Sequence, residues 1–402
     1  MPTAVPHAPI DLSHIGHDLQ RSLRVLLEAI PGTPHRPSSL SEQVGVSRVT
    51  VSKLLGALQR TSPYEFLEAI PGPESLRLVV LAAENLRVER SAVENASAAI
   101  ERFSMLIRER FGTRTALNAA IGARSDSLRA RTELLGRTEA FKGMRQVLGV
   151  EAETWLTSML FAPSREDPEA IEVANIQGAL GLRRLRADRE IYFSVGPPYR
   201  DPASEPTLAP SPVTFDDLYT HEPAKIETSR VNGQIRHRLI DERLGKHAVA
   251  DMLAVGHNAR GSRRYATEDS RRRGVSLFVD VPVRLLVCDA LIHESLFPGS
   301  EAELLIFNTA ARGPANPNDP TRDLDRVPVM EAPKLVHDGP PRFEVPEVPN
   351  YGRMIERLCG HLHRDPAKFR VYRVRIAYPV YGFQYVMAFE APLQPGPEAA
   401  AG

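Results

Sequence analysis

A chain of 402 residues, 42% hydrophobic and 25% charged, exceeds what one hydrophobic core usually serves, so it divides into globular domains, two being expected. Fifty cations balance fifty acids, which excludes a molecule-wide basic field as the source of any attraction to nucleic acid. Only Cys288 and Cys359 are present, which excludes a disulfide framework and points to a reducing, cytoplasmic setting.

In chain order, residues 1–7 pair no basic segment with an apolar run, so no signal peptide is expected. Leu19, Leu23, Leu26, Leu27 and Ile30 recur at helical spacing and Pro31-Gly32 ends the run, which predicts a first helix. After the short loop 34–37 comes the most informative stretch, residues 38–59. Two helices that meet steeply across a tight turn need apolar contacts, a small residue where they approach, and a residue able to take positive φ. Leu40, Val44, Val46, Val51, Leu54 and Leu55 supply the contacts, Ser41 the small residue and Gly45 the turn. Ser47 is placed to cap the second helix, leaving Arg48, Val49, Thr50, Ser52 and Lys53 outward on its first two turns. Between Pro34 and Thr61 the cations Arg36, Arg48, Lys53 and Arg60 face one acid, Glu42, so a neutral chain carries a local net charge of +3. A short, polar, partly cationic helix face suits base edges and phosphates in the major groove of double-stranded DNA.

Two β-type runs follow, Tyr64–Ile70 and Leu76–Ala82, separated by the turn composition Pro71-Gly72-Pro73-Glu74-Ser75, and together they predict a hairpin. Opening helix, two-helix motif and hairpin, in that order over residues 1–83, resemble the winged helix-turn-helix of bacterial transcriptional regulators, closest to the IclR and GntR types. The resemblance implies that Arg48, Val49, Thr50 and Lys53 face bases or nearby phosphates. It also implies that Ser39 meets the DNA backbone at the start of the supporting helix, and that Ser75 or Arg77 sits in the wing.

Residues 84–147 read as a helical connector rich in Ala, Leu, Arg and Glu. Its stretch 84–111 is the expected contact of a homodimer, since two-fold pairing doubles a short reading surface. Residues 117–128 faintly echo the first motif, with Gly122 in the place of Gly45, but Arg131 stands where packing wants an apolar group. Ten cations against five acids over 101–146 read as a solvated helical face rather than an extended DNA footprint.

Beyond the connector, Trp155–Phe161 and Glu190–Val195 read as strands. The segment between them offers a helix start at Asp167-Pro168-Glu169 or a β-branched strand at 171–176, and strand is preferred. Proline-dense 196–223 is a linker or a long surface loop, and Leu239–Val255 reads as a helix. Gly274–His293 and Glu303–Phe307 read as strands, and Asp280, Arg284 and Asp289 make 275–292 too costly as a membrane span. Gly313–Pro349 is a loop region and Tyr351–Leu362 a helix; Phe369–Tyr378 and Phe383–Ala391 form a closing hairpin.

The expected architecture is therefore α+β and multi-domain: a winged helix-turn-helix at 1–83, a helical connector at 84–147, and an α+β domain with mainly antiparallel sheet at 148–402. Cys359, His361 and His363 lie two apart on a helix and cannot converge, so no metal site is expected. No P-loop, dinucleotide fingerprint, nucleophile elbow or Cys-x-x-Cys pair is present, so no enzyme and no cofactor are expected. The function expected is that of a sequence-specific DNA-binding regulator. Its C-terminal domain senses a small-molecule effector or serves as an assembly and partner-binding module, with an enzyme tethered to a DNA-binding head as the remaining alternative. The polar loop 313–327 is expected to be solvated, or else to cover a ligand site. The aromatics Tyr372, Tyr378, Tyr381, Phe383, Tyr385 and Phe389 are divided between core and, if the sheet encloses a cavity, an effector pocket.

Overall fold

The computed structural model describes residues 11–122, 124, 126–195, 209–231, 234–245, 248–336 and 343–394. The chain separates into two compact units, Met1–Glu133 and Leu134–Gly402.

Among its described residues the first unit is helical throughout. Helix α1 (Leu12–Glu28) starts at Asp11, whose side chain accepts from the His14 amide at 3.0 Å, and buries Leu12, Leu19, Leu23, Leu26 and Leu27 on one face. Helices α2 (Pro37–Val44), α3 (Arg48–Leu58), α4 (Pro63–Ala69), α5 (Pro73–Asn85) and α6 (Arg90–Met105) follow. A π turn at Leu106–Phe111 and α7 (Arg114–Gly122) complete the order. One continuous apolar cluster runs through all seven helices, from Leu19 and Leu40 to Phe66, Val79, Phe103 and Ile121.

Two expectations fail here. The hairpin wing does not form: Tyr64–Ile70 falls almost wholly within α4, and Leu76–Ala82 lies inside α5. Pro63 and Pro73 each occupy a first helical position, where a fixed φ and a missing N–H favour helix, and Gly72 stands as the N-cap of α5. Leu76, Val79, Val80 and Ala83 are then buried at helical spacing, so tertiary packing overrides β-type composition. Nor is 84–147 a free connector. Ala92, Val93, Ala96, Ala99, Ile100 and Phe103 pack the apolar face of α6 into this unit's own core. The division between units falls inside α8 (Asp126–Leu148).

The second unit is built on a large, mainly antiparallel sheet. Its strands are β1 (Val150–Pro163), β2 (Ala170–Arg184), β3 (Tyr192–Val195), β4 (Ala209–Pro210), β5 (Glu222–Pro223), β6 (Ile226–Val231) and β7 (Gln234–Leu239). Then come β8 (Val249–Arg263), β9 (Arg272–Phe278), β10 (Val283–His293), β11 (Glu303–Asn308) and β12 (Lys334–Val336), helix α9 (Tyr351–His361), and the strands β13 (Phe369–Ala377) and β14 (Phe383–Glu390). The main sheet runs β12-β13-β10-β1-β2-β8-β4 with β5 beside β8, and smaller sheets run β11-β14-β9 and β3-β7-β6. The β1/β10 and β5/β8 pairs are parallel.

Both faces of the main sheet are buried, which is why its central strands read as nearly unbroken apolar runs. On β1, Trp155 and Met159 join a cluster with Val275, Leu277, Tyr385 and Met387 from the β9 and β14 sheet, while Leu156 and Leu160 join Met354, Ile355 and Leu358 of α9. Residues 171–176 lie in β2, as preferred. The helix expected at Leu239–Val255 is instead the end of β7, a bend at Gly245 with φ +83°, and the start of β8. The closing hairpin also fails. Its two strands exist but do not pair, β13 lying between β10 and β12 and β14 between β11 and β9. The link between them takes positive φ at Tyr378 and Gly382 and carries the chain from one sheet to another. Of the proline-dense stretch 196–223, residues 196–208 lie outside the described residues.

Candidate nucleic-acid interface

Where the helix-turn-helix is expected, at 38–59, the chain forms α2, the short link Gly45-Val46-Ser47 and α3. Gly45 takes φ +64° at the C-cap of α2, and no atom lies within 4 Å of where its Cβ would stand, so backbone conformation, not space, selects glycine. Ser41 Oγ donates to Val46 O at 2.6 Å across the turn. Ser47 is the N-cap of α3: its hydroxyl accepts from the Thr50 amide at 3.2 Å and lies 3.0 Å from Thr50 Oγ1. Leu40, Val44, Val46, Val51 and Leu54 are buried as expected, and Leu55 is half-buried.

That packing turns one face of α3 outward. Arg48, Val49, Ser52 and Lys53 are exposed, Val49 to 66%, while Thr50 is half-buried against its cap. Positions 48, 49, 52 and 53 are three and four apart, so they share a stripe on the first two turns. Among the described residues neither Arg48 nor Lys53 enters an ion pair. Ser39 is exposed, with its hydroxyl donating to Arg36 O at 3.1 Å at the start of α2.

The far end of α3 is held by residues that periodicity did not single out. Gln20 Nε2, on the buried side of α1, donates to Arg60 O at 2.8 Å, and Arg24 donates to Leu58 O at 2.9 Å. The bond to Leu58 O satisfies a carbonyl that a helix C-terminus leaves without an intrahelical partner, and the bond to Arg60 O ties down the chain just beyond it. The signal for Gln20 was its place among leucines on the inward face of α1.

Ser75 and Arg77 leave the candidate interface. Both lie on α5; Ser75 is half-buried, and Arg77 pairs with Glu74 and with Glu101 of α6, donating as well to Ser104 Oγ at 3.1 Å. Hydrogen bonds to these carboxylates hold its guanidinium even more firmly protonated than usual. Other cations of 101–146 are likewise used internally. Arg102 meets Asp18 of α1, and Arg114 donates to the carbonyls of Leu67, Glu68 and Ile70 at the end of α4. Arg131, from the faint second motif, reaches Glu68 at 3.4 Å, and of that motif residues 123 and 125 lie outside the described residues.

In the second unit, Cys359 is buried beneath α9 while His361 is exposed, so the close-spaced sulfur and imidazoles diverge. Among the described residues no group of three or more His, Cys, Asp or Glu side chains is arranged to hold a metal ion. The loop 313–327 is largely solvated, with Leu324 89% exposed, and is anchored where buried Arg322 donates to Gly313 O and Pro314 O and pairs with Asp325 at 2.7 Å. Tyr372, Tyr385 and Phe389 are core, Phe389 stacking on Phe297 with ring centroids 5.7 Å apart. A buried polar knot joins the main sheet to α9. Asp289 takes two hydrogen bonds from Arg373, at 2.8 and 2.7 Å, and the Tyr351 hydroxyl lies 2.9 Å from Asp289 Oδ2 and 2.7 Å from Ser158 Oγ. No described helix is long and apolar enough to cross a membrane.

Comparison of the chain with protein-family models, with curated proteins and with solved structures finds no match.

Proposed function

We propose that the first unit binds duplex DNA by laying α3 in the major groove, and that the protein is a sequence-specific transcriptional regulator. The observation that carries this reading is the outward stripe Arg48, Val49, Ser52 and Lys53, set by the Gly45 turn and the Ser47 cap, with both cations free of internal ion pairs among the described residues. Arg48 and Lys53 supply phosphate attraction, Val49 supplies an apolar surface for a thymine methyl, and Ser52 supplies a hydroxyl for a base edge or phosphate. Eleven residues of helix span about 16 Å, enough to lie along a groove about 12 Å wide. The protein acts as a homodimer, because one such stripe reads too few base pairs to find a site in a genome. The second unit governs the first in response to a ligand or partner.

Selection of bound duplexes from a random pool, followed by gel-shift titration at several salt concentrations, tests this. The wild-type chain should enrich a two-fold-related motif. Arg48→Ala with Lys53→Ala should abolish its retention and, with two cations lost from each protomer of the dimer, lower the slope of log affinity against log salt by about 4 for the residual binding. Equal affinity and an equal slope for the double variant would sink the assignment.

A further inference from the structure

On the face of the main sheet that meets the β9 and β14 sheet, the register sets three polar side chains side by side. Thr157 of β1 stands opposite Gln177 of β2, their Cβ atoms about 5 Å apart, and Asn175 is the next residue of β2 on the same face. Trp155, Met159 and Ala179 fill the neighbouring places on that face and belong to the cluster shared with Val275, Leu277, Tyr385 and Met387. The alternation along each strand therefore turns all three polar side chains into the interior between the sheets. Thr157 is 1% exposed, Asn175 0% and Gln177 5%. Yet Thr157 Oγ1 and Asn175 Nδ2 have no hydrogen-bond partner, and neither has the indole Nε1 of Trp155 beside them. Among the described residues the Gln177 amide makes no hydrogen bond either.

The chemistry of these unpartnered groups is fixed. Asn175 Oδ1 accepts from the Gly256 amide at 2.9 Å; a backbone N–H can only donate, so the atom left over is the side-chain NH2, a donor. The indole N–H is a donor only, and the Thr157 hydroxyl is free to donate. The surroundings hold no charge: in the rows of the sheet that pass through Trp155, Thr157 and Met159, from β13 to β8, there is no Arg, Lys, Asp or Glu. They also leave room. The places flanking the polar trio are taken by Cys288 and Ala290 on β10 and by Ala254 and Gly256 on β8, all small. Ala254 is half-exposed, so the row through Gln177 reaches solvent at its β8 end. Apolar side chains would fill a closed sandwich at less cost, so donors kept here point to a partner that enters from outside. Donors without a cation select an uncharged oxygen acceptor, since an anion would be buried without a counter-charge.

We infer that this interior site of the second unit binds a small uncharged carbonyl compound, a ketone, lactone or amide, whose oxygen accepts from Thr157, Asn175 and Gln177 while its apolar part lies against Trp155, Met159 and Cys288. That the same ligand controls DNA binding rests on the regulator reading above; the site itself does not. The full chain is titrated with cyclohexanone, cyclopentanone, δ-valerolactone and acetamide, and with methylenecyclohexane, cyclohexanecarboxylate and cyclohexylamine as hydrocarbon, anionic and cationic analogues. Calorimetry and the emission of Trp155, the single tryptophan, both read binding. The carbonyl compounds saturate one site per chain, the best of them at least about tenfold more tightly than any analogue. Thr157→Val and Gln177→Met, close in shape to the originals, each weaken it about tenfold. Each leaves the ligand-free thermal midpoint level with the wild type or above it, because each removes an unpartnered polar group. If one variant fails to fold, the other decides. Analogues that bind as tightly as the best carbonyl compound, failure of the whole carbonyl series, or unchanged affinity in a folded variant overturns the proposal. A midpoint lowered in both variants does so too, being the mark of bonds already satisfied by trapped water. Carbonyl binding that leaves duplex affinity unchanged overturns the control role alone, and a wild-type chain that binds no duplex refutes the regulator reading without touching the site.

Discussion

Two glycines of the helix-turn-helix make opposite demands, and their replacement by alanine separates backbone conformation from space. Gly45 and Gly56 both have nothing within 4 Å of an added Cβ, so neither substitution clashes. Gly45 sits at φ +64°, where an L side chain costs about 1–2 kcal/mol, and the stiffer unfolded chain offsets about 0.4–1 of that. Gly45→Ala therefore destabilises the first unit by about 1 kcal/mol. Gly56 lies inside α3, where glycine is worse than alanine by about 0.8–1 kcal/mol, so Gly56→Ala stabilises by about that amount. The variants should differ by about 2 kcal/mol, with the wild type between them. Denaturant unfolding followed by circular dichroism at 222 nm reports the helical first unit, while fluorescence of the single tryptophan, Trp155, reports the core of the second. The 222 nm midpoint should move down for Gly45→Ala and up for Gly56→Ala, with the Trp155 transition unmoved. Equal or same-sign shifts would refute the left-handed turn and with it the geometry that aims α3.

Further outcomes follow from named contacts. Ser47→Ala removes the cap of α3 and should cost about 1 kcal/mol in the same assay, whereas Ser47→Asp, which still accepts from the Thr50 amide, should restore most of it. Burial pushes the Asp280 carboxyl up to about 6, well above its unfolded range. A raised folded-state value means that its stabilising contribution is full below about pH 4 and lost as pH rises through about 6. Asp280→Asn, which keeps an acceptor for the Ser194 amide, should therefore gain on the wild type between those limits, by on the order of 2–3 kcal/mol, read by Trp155 fluorescence. A difference independent of pH would contradict the burial of that carboxyl. In the knot beneath α9, Tyr351→Phe should cost about 1–2 kcal/mol. Asp289→Asn should cost more, about 3 kcal/mol, because it leaves the largely buried Arg373 guanidinium opposite a neutral amide. The reverse order would show that the ion pair contributes less than the hydroxyl.

The candidate interface was legible because its requirements are local. The apolar contacts, the Gly45 turn and the Ser47 cap lie within 18 consecutive residues, 38–55, and each answers a constraint that acts over one or two helical turns. The wing was misread because Tyr64–Ile70 and Leu76–Ala82 are 7-residue apolar-rich runs, a length at which strand and helix composition overlap. Pro63 and Pro73 were the available correction, since each sits where a helix tolerates proline best. Arg77 could not be placed from the chain alone, because its partner Glu101 is 24 residues away on another helix. The contact of His221 with Asp251 was invisible for the same reason: the two are 30 residues apart and meet where β5 pairs with β8.

By itself the sequence determined which segments bury a face and how the α2–α3 turn is made, because periodicity, capping and positive φ are properties of a few neighbouring residues. Only the tertiary structure decided that α4 and α5 replace a hairpin, that β13 and β14 join different sheets, and that the cations of α5 to α8 are largely spent on internal pairs. Those outcomes depend on which distant surface a segment finds, and backbone pairing and burial in a core are set by the whole unit rather than by composition along the chain.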